Sequence, residues 1–233
     1  MNNIDRIFII NFNKEKLKDS KQLLENYNIQ NYEIIKFEDF DFSKINKKNY
    51  NNFSNKYLKL KKLISNENEY IKFECFLKDS LKNIINLSIL KNYKNILILE
   101  DNFIFVENFL VQFKKILDNA EQNYYGMLYL SDINPSNNKE VFNKLLYRIF
   151  GFHDNFAICY NKRIFKKLLE LINNSDCELD KILGEHINGK YMVFLSNPIL
   201  IKKRDNYELI NKFSSNKINK LNINSGKFRN IRK

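Results

Sequence analysis

The chain has 233 residues and a net charge of +12, from 39 Lys and Arg against 27 Asp and Glu. That length supports one substantial core, and 44% hydrophobic content with 20 Phe and 13 Tyr argues against a disordered chain. With only 5 Gly and 2 Pro a turn-rich all-β fold is disfavoured, and two histidines, His153 and His186, are too few for a multi-histidine zinc centre.

Ile4 to Asn11 reads as an opening strand, rich in β-branched and aromatic residues. Asn13 stands where a helix cap belongs, and Lys14 to Tyr27 puts Leu17, Leu23 and Leu24 on one helical face. Tyr32 to Phe37 is a second strand, giving the β-α-β alternation of a parallel sheet. Glu38 to Asn68 is a polar excursion rich in Asn and Lys, with some helix around Lys56 to Ile64. Its interspersed Phe40, Phe42, Phe53 and Tyr57 suit either ligand stacking or, more commonly, anchoring of a loop to the core. Tyr70 to Leu90 has a strong helical pattern through Phe73, Phe76, Leu77, Leu81, Ile84 and Ile85.

The rest of the chain is organised around residues 96–102. Ile96 to Leu99 is an unbroken apolar run, the signature of a strand buried on both faces, and Glu100, Asp101 and Asn102 arrive directly after it. In an open α/β sheet, ligands dock outside the carboxyl ends of the strands. Hard oxygen ligands there suit Mn²⁺ or Mg²⁺ and, through the ion, a diphosphate. The competing reading makes these acids solvated loop residues, or caps of a helix predicted over Glu107–Asn119.

Met127 to Leu130 is the next strand, and polar Ser131 and Asp132 stand where it exits. Residues 134–138 form a loop, and Lys139 to Phe150 is predicted as a short helix ended by Gly151. Asn155 to Tyr160 is a strand, Arg163 to Leu171 a helix and Asp176 to Ile187 a further helical stretch. Tyr191–Leu195 and Ile199–Ile201 complete the strands. No internal repeat and no linker occurs before about residue 203, so the chain reads as one domain over 1–202 and a basic tail over 203–233.

That tail could touch an anionic membrane leaflet or simply be a frayed terminus. No nucleic-acid-binding motif accompanies it, which argues against nucleic acid as partner. Three cysteines (Cys75, Cys159, Cys177) without CxxC pairing fit a reducing compartment. The absence of an 18-residue apolar stretch and of a signal-peptide core points to a soluble, cytoplasmic protein with at most peripheral membrane contact.

With its elements in this order, the chain resembles glycosyltransferase family 25, the lipooligosaccharide-biosynthesis and procollagen galactosyltransferase type, over roughly residues 4–200. Asn92 to Asn102 resembles the family's central strand, which usually ends Glu-Asp-Asp. Ile7 to Asn13 is similar to its opening strand, whose end lies beside the nucleotide. Cys75 matches the cysteine of a Gly-Cys-x-x-Ser-His motif. Asn155 to Lys162 with Phe165 to Glu170, Leu179-Asp180 and Asn197-Pro198-Ile199 match later landmarks. The resemblance implies a GT-A type fold, a Rossmann-like mixed, mostly parallel sheet with helices on both faces. It implies transfer of a hexose, galactose above all, from a UDP-sugar to a glycan, lipid-linked glycan or glycoprotein acceptor, with inversion. Asn11, Phe12, Glu100, Ser131 and Asp132 would then line the donor pocket, and Asp101 and Asn102 would hold the metal. Asp180 would take the acceptor proton or complete the metal site; its other reading is a surface acid. Two departures stand out: Asn102 replaces the third acid, and Glu74, Lys78 and Asp79 replace the motif's Gly, Ser and His. They leave room for a second reading, a catalytically silent glycan- or partner-binding relative, and the charge for a third, a polyanion binder.

Overall fold

The computed structural model describes residues 3–44, 67–131, 139–151, 156–175 and 177–203. β1 (Arg6–Asn11) leads through α1 (Lys14–Asn26) to β2 (Tyr32–Lys36). After α2 (Glu67–Leu90) come β3 (Asn95–Glu100), a short β4 (Phe103–Phe105) and α3 (Phe109–Gln122). β5 (Met127–Tyr129) precedes a hairpin of β6 (Lys139–Val141) and β7 (Leu146–Ile149). The chain continues through β8 (Ala157–Asn161), α4 (Lys162–Asn174), α5 (Leu179–His186), β9 (Val193–Ser196) and β10 (Ile201–Lys203).

Eight strands form one sheet in the order β2-β1-β3-β8-β5-β9-β7-β6. β1 runs parallel to β2 and β3, and β5 parallel to β9. β8 runs against both β3 and β5, and β7 against β9 and β6. The result is a mixed, Rossmann-like α/β sheet in which most strands point the same way. Burial on both faces follows from the two-residue pleat of apolar strands. Ile7, Ile9, Leu97 and Leu99 pack with Leu24 of α1 and Phe113 and Leu117 of α3. Phe8, Ile10, Ile96 and Ile98 pack with Phe76 and Ile84 of α2, Leu168 of α4 and Leu183 of α5. Helices therefore cover both faces, as the apolar run at 96–99 requires. Truncating a residue such as Leu99 to Ala in such a core costs about 2–5 kcal/mol.

Local chemistry explains several boundaries. Asn13 caps α1, its side chain accepting from the Glu15 N–H at 2.9 Å. Asn161 ends β8 and also caps α4 through the Arg163 N–H at 3.1 Å. The predicted helix over 139–150 is instead the β6–β7 hairpin. Asn143 decides this: its side-chain oxygen accepts the N–H groups of Leu145 and Leu146 at 2.8 and 3.0 Å, fixing a turn that competes with helix. The strand β4 has no counterpart among the strands expected from sequence, because its partner β10 lies far along the chain. The helix expected from Asp176 begins at Leu179. The helix expected near Lys56–Ile64, the loop over 134–138 and residues 204–233 lie outside the described residues.

The amino-terminal ends of the central strands are tied by a closed polar network. Asn95 Oδ1 accepts from the Tyr125 hydroxyl at 2.8 Å and from Asn161 Nδ2 at 2.7 Å. Its Nδ2 donates to Glu121 Oε1 at 2.6 Å and to the Asn3 carbonyl at 2.9 Å. Asp5 Oδ2 accepts the backbone N–H groups of Lys94 and Asn95. The Tyr125 hydroxyl also lies 3.2 Å from the Cys159 sulfur. Burial pushes the Cys159 thiol up to about 12. No helix among the described residues is long and apolar enough to cross a membrane.

Candidate functional site

β1, β3, β5 and β9 all end at one edge of the sheet, and the reversed β8 begins there, with Ala157 opposite Leu99. The chain bends after β3 at Asn102, whose φ of +72° lies in the left-handed region that asparagine tolerates. Asp101 closes the gap between β1 and β3. Its Oδ2 accepts the N–H groups of Phe12 and Asn13 at 2.8 and 2.7 Å, and Asn11 Nδ2 at 2.9 Å. Asn11 Nδ2 also reaches the Asn13 carbonyl at 2.7 Å. A charged acceptor with three donors is strong, and it fixes the loop that opens α1.

The pleat sends Glu100 to the opposite face from Asp101, the face of Ile96 and Ile98. The two neighbouring acids thus do not point into one chelate. Burial raises the Tyr160 phenol well above its usual range, and the charges of Tyr129, Asp180 and Glu100 push the same way.

Several polar side chains at this edge are buried with no hydrogen-bond partner among the described residues. Both amide atoms of Asn102 are in this state, as are Ser131 Oγ after β5 and Ser196 Oγ at the end of β9. Leaving a buried polar group unmade costs about 1–3 kcal/mol, and such groups in folded proteins call for a missing partner. Glu178, wholly buried at the start of α5, also has both carboxylate oxygens without a hydrogen bond among the described residues.

A small antiparallel ribbon, β4 with β10, crosses this edge. The N–H groups of Leu200 and Ile201 both donate to the Leu130 carbonyl at the end of β5. Further along β10, Lys203 pairs with Phe103, next to Asn102 at the end of β3. The ribbon thus spans the roughly 10 Å that β8 puts between β3 and β5. Lys203 Nζ lies 4.9 Å from the ring centre of Phe156, and the Phe156 carbonyl accepts the Glu100 N–H at 2.9 Å. Beyond the ends of β1 and β2 lies an aromatic cluster. Phe12 packs on Phe73 at 4.4 Å and edge-on to Phe76 at 5.4 Å, and Phe37 meets Phe76 at 5.1 Å.

The structure thus brings Asn11, Phe12, Glu100, Asp101, Asn102 and Ser131 to one edge; Asp180 lies in the first turn of α5, and Asp132 lies outside the described residues. Glu74 and Lys78, which replace Gly and Ser of the resembled motif, are buried in α2. Lys78 Nζ donates to the carbonyls of Ser175 and Cys177 at 2.7 and 3.0 Å, tying α2 to the entry of α5. Sequence reasoning missed Ser196, which has no local signal beyond its place after an apolar run. Among the described residues, no group of three His, Cys, Asp or Glu side chains is placed to hold a metal ion.

No family model and no curated protein matches the chain. Among solved structures, the crystal structure of A197 from STIV is similar over 87% of this chain and 95% of that one, at 11% identity and a TM-score of 0.42. A likeness at that level carries no argument about function.

Proposed function

We propose that the chain is a glycosyltransferase that moves a hexose, galactose first among candidates, from a UDP-sugar to a hydroxyl of a glycan, lipid-linked glycan or glycoprotein. The observation that carries the reading is the set of buried polar atoms at Asn102, Ser131 and Ser196 that lack partners among the described residues. They stand at the carboxyl ends of β3, β5 and β9, along the one edge where open α/β sheets hold polar ligands. The aromatic cluster at Phe12, Phe37 and Phe73 offers ring faces for a nucleobase beside Asn11, and aromatic–base stacking contributes about 1–3 kcal/mol. Asp180 is the general base: it takes the proton of the acceptor hydroxyl. The hydroxyl oxygen bonds to the anomeric carbon as the bond from that carbon to the diphosphate breaks, and UDP leaves with the electron pair.

The expected Mn²⁺ or Mg²⁺ meets a mixed donor set. Asn102 Oδ1 fits, being buried without a partner among the described residues, whereas Asp101 Oδ2 already holds the end of β1. Bound there, a divalent ion would neutralise charge on the departing diphosphate. The uncharged Asn102 and the opposed Glu100 favour one other reading, a silent relative that binds a nucleotide or glycan without turnover.

Thermal unfolding of the wild type and Ser131→Ala with UDP, UDP-galactose and UDP-glucose, with and without Mn²⁺, tests the site. A ligand that binds the native state raises its melting temperature. A shift with one UDP-sugar, reduced in Ser131→Ala, supports the donor site. No shift with any nucleotide overturns it. Binding without release of free UDP in the presence of varied glycan acceptors would select the silent reading.

A further inference from the structure

We infer that Lys78 is a positioning residue: by gripping the connection between α4 and α5 it sets Asp180 at the carboxyl edge of the sheet. This deepens the transferase reading, with Asp180 as its base, and rests on it.

The path of the chain puts that connection at the candidate site. β8 runs from the carboxyl edge to the amino edge, with Ala157 opposite Leu99 and Asn161 opposite Asn95. α4 starts on the amino edge, directly after β8, and β9 starts there too, parallel to β5. Two helices that leave one edge and rejoin it must turn at the other. The 13 residues of α4 rise about 20 Å, the length of such strands, so residues 175–178 turn at the carboxyl side and Asp180 follows in the first turn of α5. α2 reaches the same level. Its Phe73 and Phe76 lie against Phe12, just past the end of β1, at 4.4 and 5.4 Å. Lys78, two residues beyond Phe76, projects from another flank of the helix, and its ammonium donates to the carbonyls of Ser175 and Cys177 at 2.7 and 3.0 Å. One of these bonds is a cap: Ser175 ends α4, where a cation suits the helix dipole. The other is not. Cys177 lies beyond that cap, one residue before Glu178, at which α5 begins. Side chains cap α1 and α4 at their starts, through Asn13 and Asn161, whereas Glu178 makes no such bond. The start of α5 is held from α2 instead. One stretch of α2, residues 73–78, therefore carries the aromatic cluster on one flank and the entry to the Asp180 helix on another.

The test is a double-mutant cycle on the full chain: wild type, Lys78→Met, Asp180→Asn and the pair together. The rate read is UDP release from UDP-galactose or UDP-glucose in water with Mn²⁺ present, so no acceptor need be known. In that reaction the water oxygen bonds to the anomeric carbon, Asp180 takes its proton, and UDP leaves with the electron pair. UDP affinity is measured alongside by calorimetry. Lys78→Met should slow release roughly tenfold to a hundredfold, the effect of a displaced reacting group, with UDP affinity unchanged. In the Asp180→Asn background the same substitution should change the rate by less than about twofold, because no base remains to be displaced. Lys78→Arg, which keeps the donors, should release UDP faster than Lys78→Met. Equal rates in wild type and Lys78→Met overturn the proposal and leave the donor site standing. So does a loss of the same size with and without Asp180, or a fall in UDP affinity as large as the fall in rate, since each makes the tie merely structural. A wild type that binds UDP but releases none overturns the positioning role and selects the silent reading; one that binds neither UDP nor a UDP-sugar overturns both readings. If Lys78→Met does not fold, Lys78→Gln, which keeps a donor, takes its place in the cycle.

Discussion

Asn95 and Asn102 stand at the two ends of β3, one as its first residue and one just past its last, and both are almost wholly buried. Asn95 has its amide satisfied by Tyr125, Asn161, Glu121 and the Asn3 carbonyl. Asn102 makes no hydrogen bond at either amide atom among the described residues. The same side chain, at the same depth, is a keystone at one end and an open valence at the other. Burial cannot explain the difference; the partners do. Pressure towards stability alone would satisfy both ends, since an unmade buried hydrogen bond costs as much at one as at the other. The end left unsatisfied by the described residues is the one to which the proposed donor would bring a partner.

The comparison breaks most visibly at Asn95. Asn95→Ala should cost about 3 kcal/mol, because it strands Asn161, Tyr125 and Glu121 together. Urea unfolding measures this, and a loss below about 1 kcal/mol would show that water replaces the network. Asn102→Gly, which keeps the left-handed backbone, should be tolerated within about 1 kcal/mol while reducing the thermal shift given by UDP. Ser131→Ala, also at the carboxyl end, should leave stability within about 0.5 kcal/mol of wild type, since its hydroxyl bonds nothing among the described residues. A large loss there would mean that Ser131 has a structural partner after all, and the contrast between the ends would collapse.

A smaller effect concerns pH. Burial pushes the Glu121 carboxyl up, but hydrogen bonds from Lys94 and Asn95 outweigh it and hold the group below 4.5. A carboxyl depressed by folding stabilises the native state above its unfolded value and loses that contribution as pH falls through its folded value. Glu121→Gln should therefore lower stability modestly at pH 7, where the carboxylate contributes, and leave the strongly acid end nearly unchanged, so that the profile flattens below about pH 4.5. Thiol labelling gives the smallest perturbation. Cys177, partly exposed, should react with a thiol reagent in the native protein well before the buried Cys75 and Cys159.

Much of the fold is legible in the sequence because its signals are local. The Ile96–Leu99 run announces a strand covered on both faces, Asn13 announces a helix start, and the acids after Leu99 mark the strand end. What escapes depends on contacts that no local pattern encodes. The β6–β7 hairpin hinges on one asparagine side chain at Asn143. The β4–β10 ribbon joins segments nearly a hundred residues apart, so a strand of three residues at 103–105 reads as mere approach to a helix. Asp101 shows the same limit within the site. Its charge is obvious in sequence, but its service to the Phe12 and Asn13 N–H groups appears only when β1 and β3 lie side by side.

The ribbon also sets the order in which this edge can come into being. β1, β2 and β3 lie in the first half of the chain and β1 pairs with both of the others, so they can associate while the protein is still being synthesised. β4 cannot pair until β10 has been made, near the end of the described residues. A nascent chain would carry the strand ends, the aromatic cluster and the acids long before the span between β3 and β5 is bridged. Ligand competence should therefore appear abruptly with the last strand, and fragments that stop short of Ile201 should keep much of the sheet while lacking the closed edge.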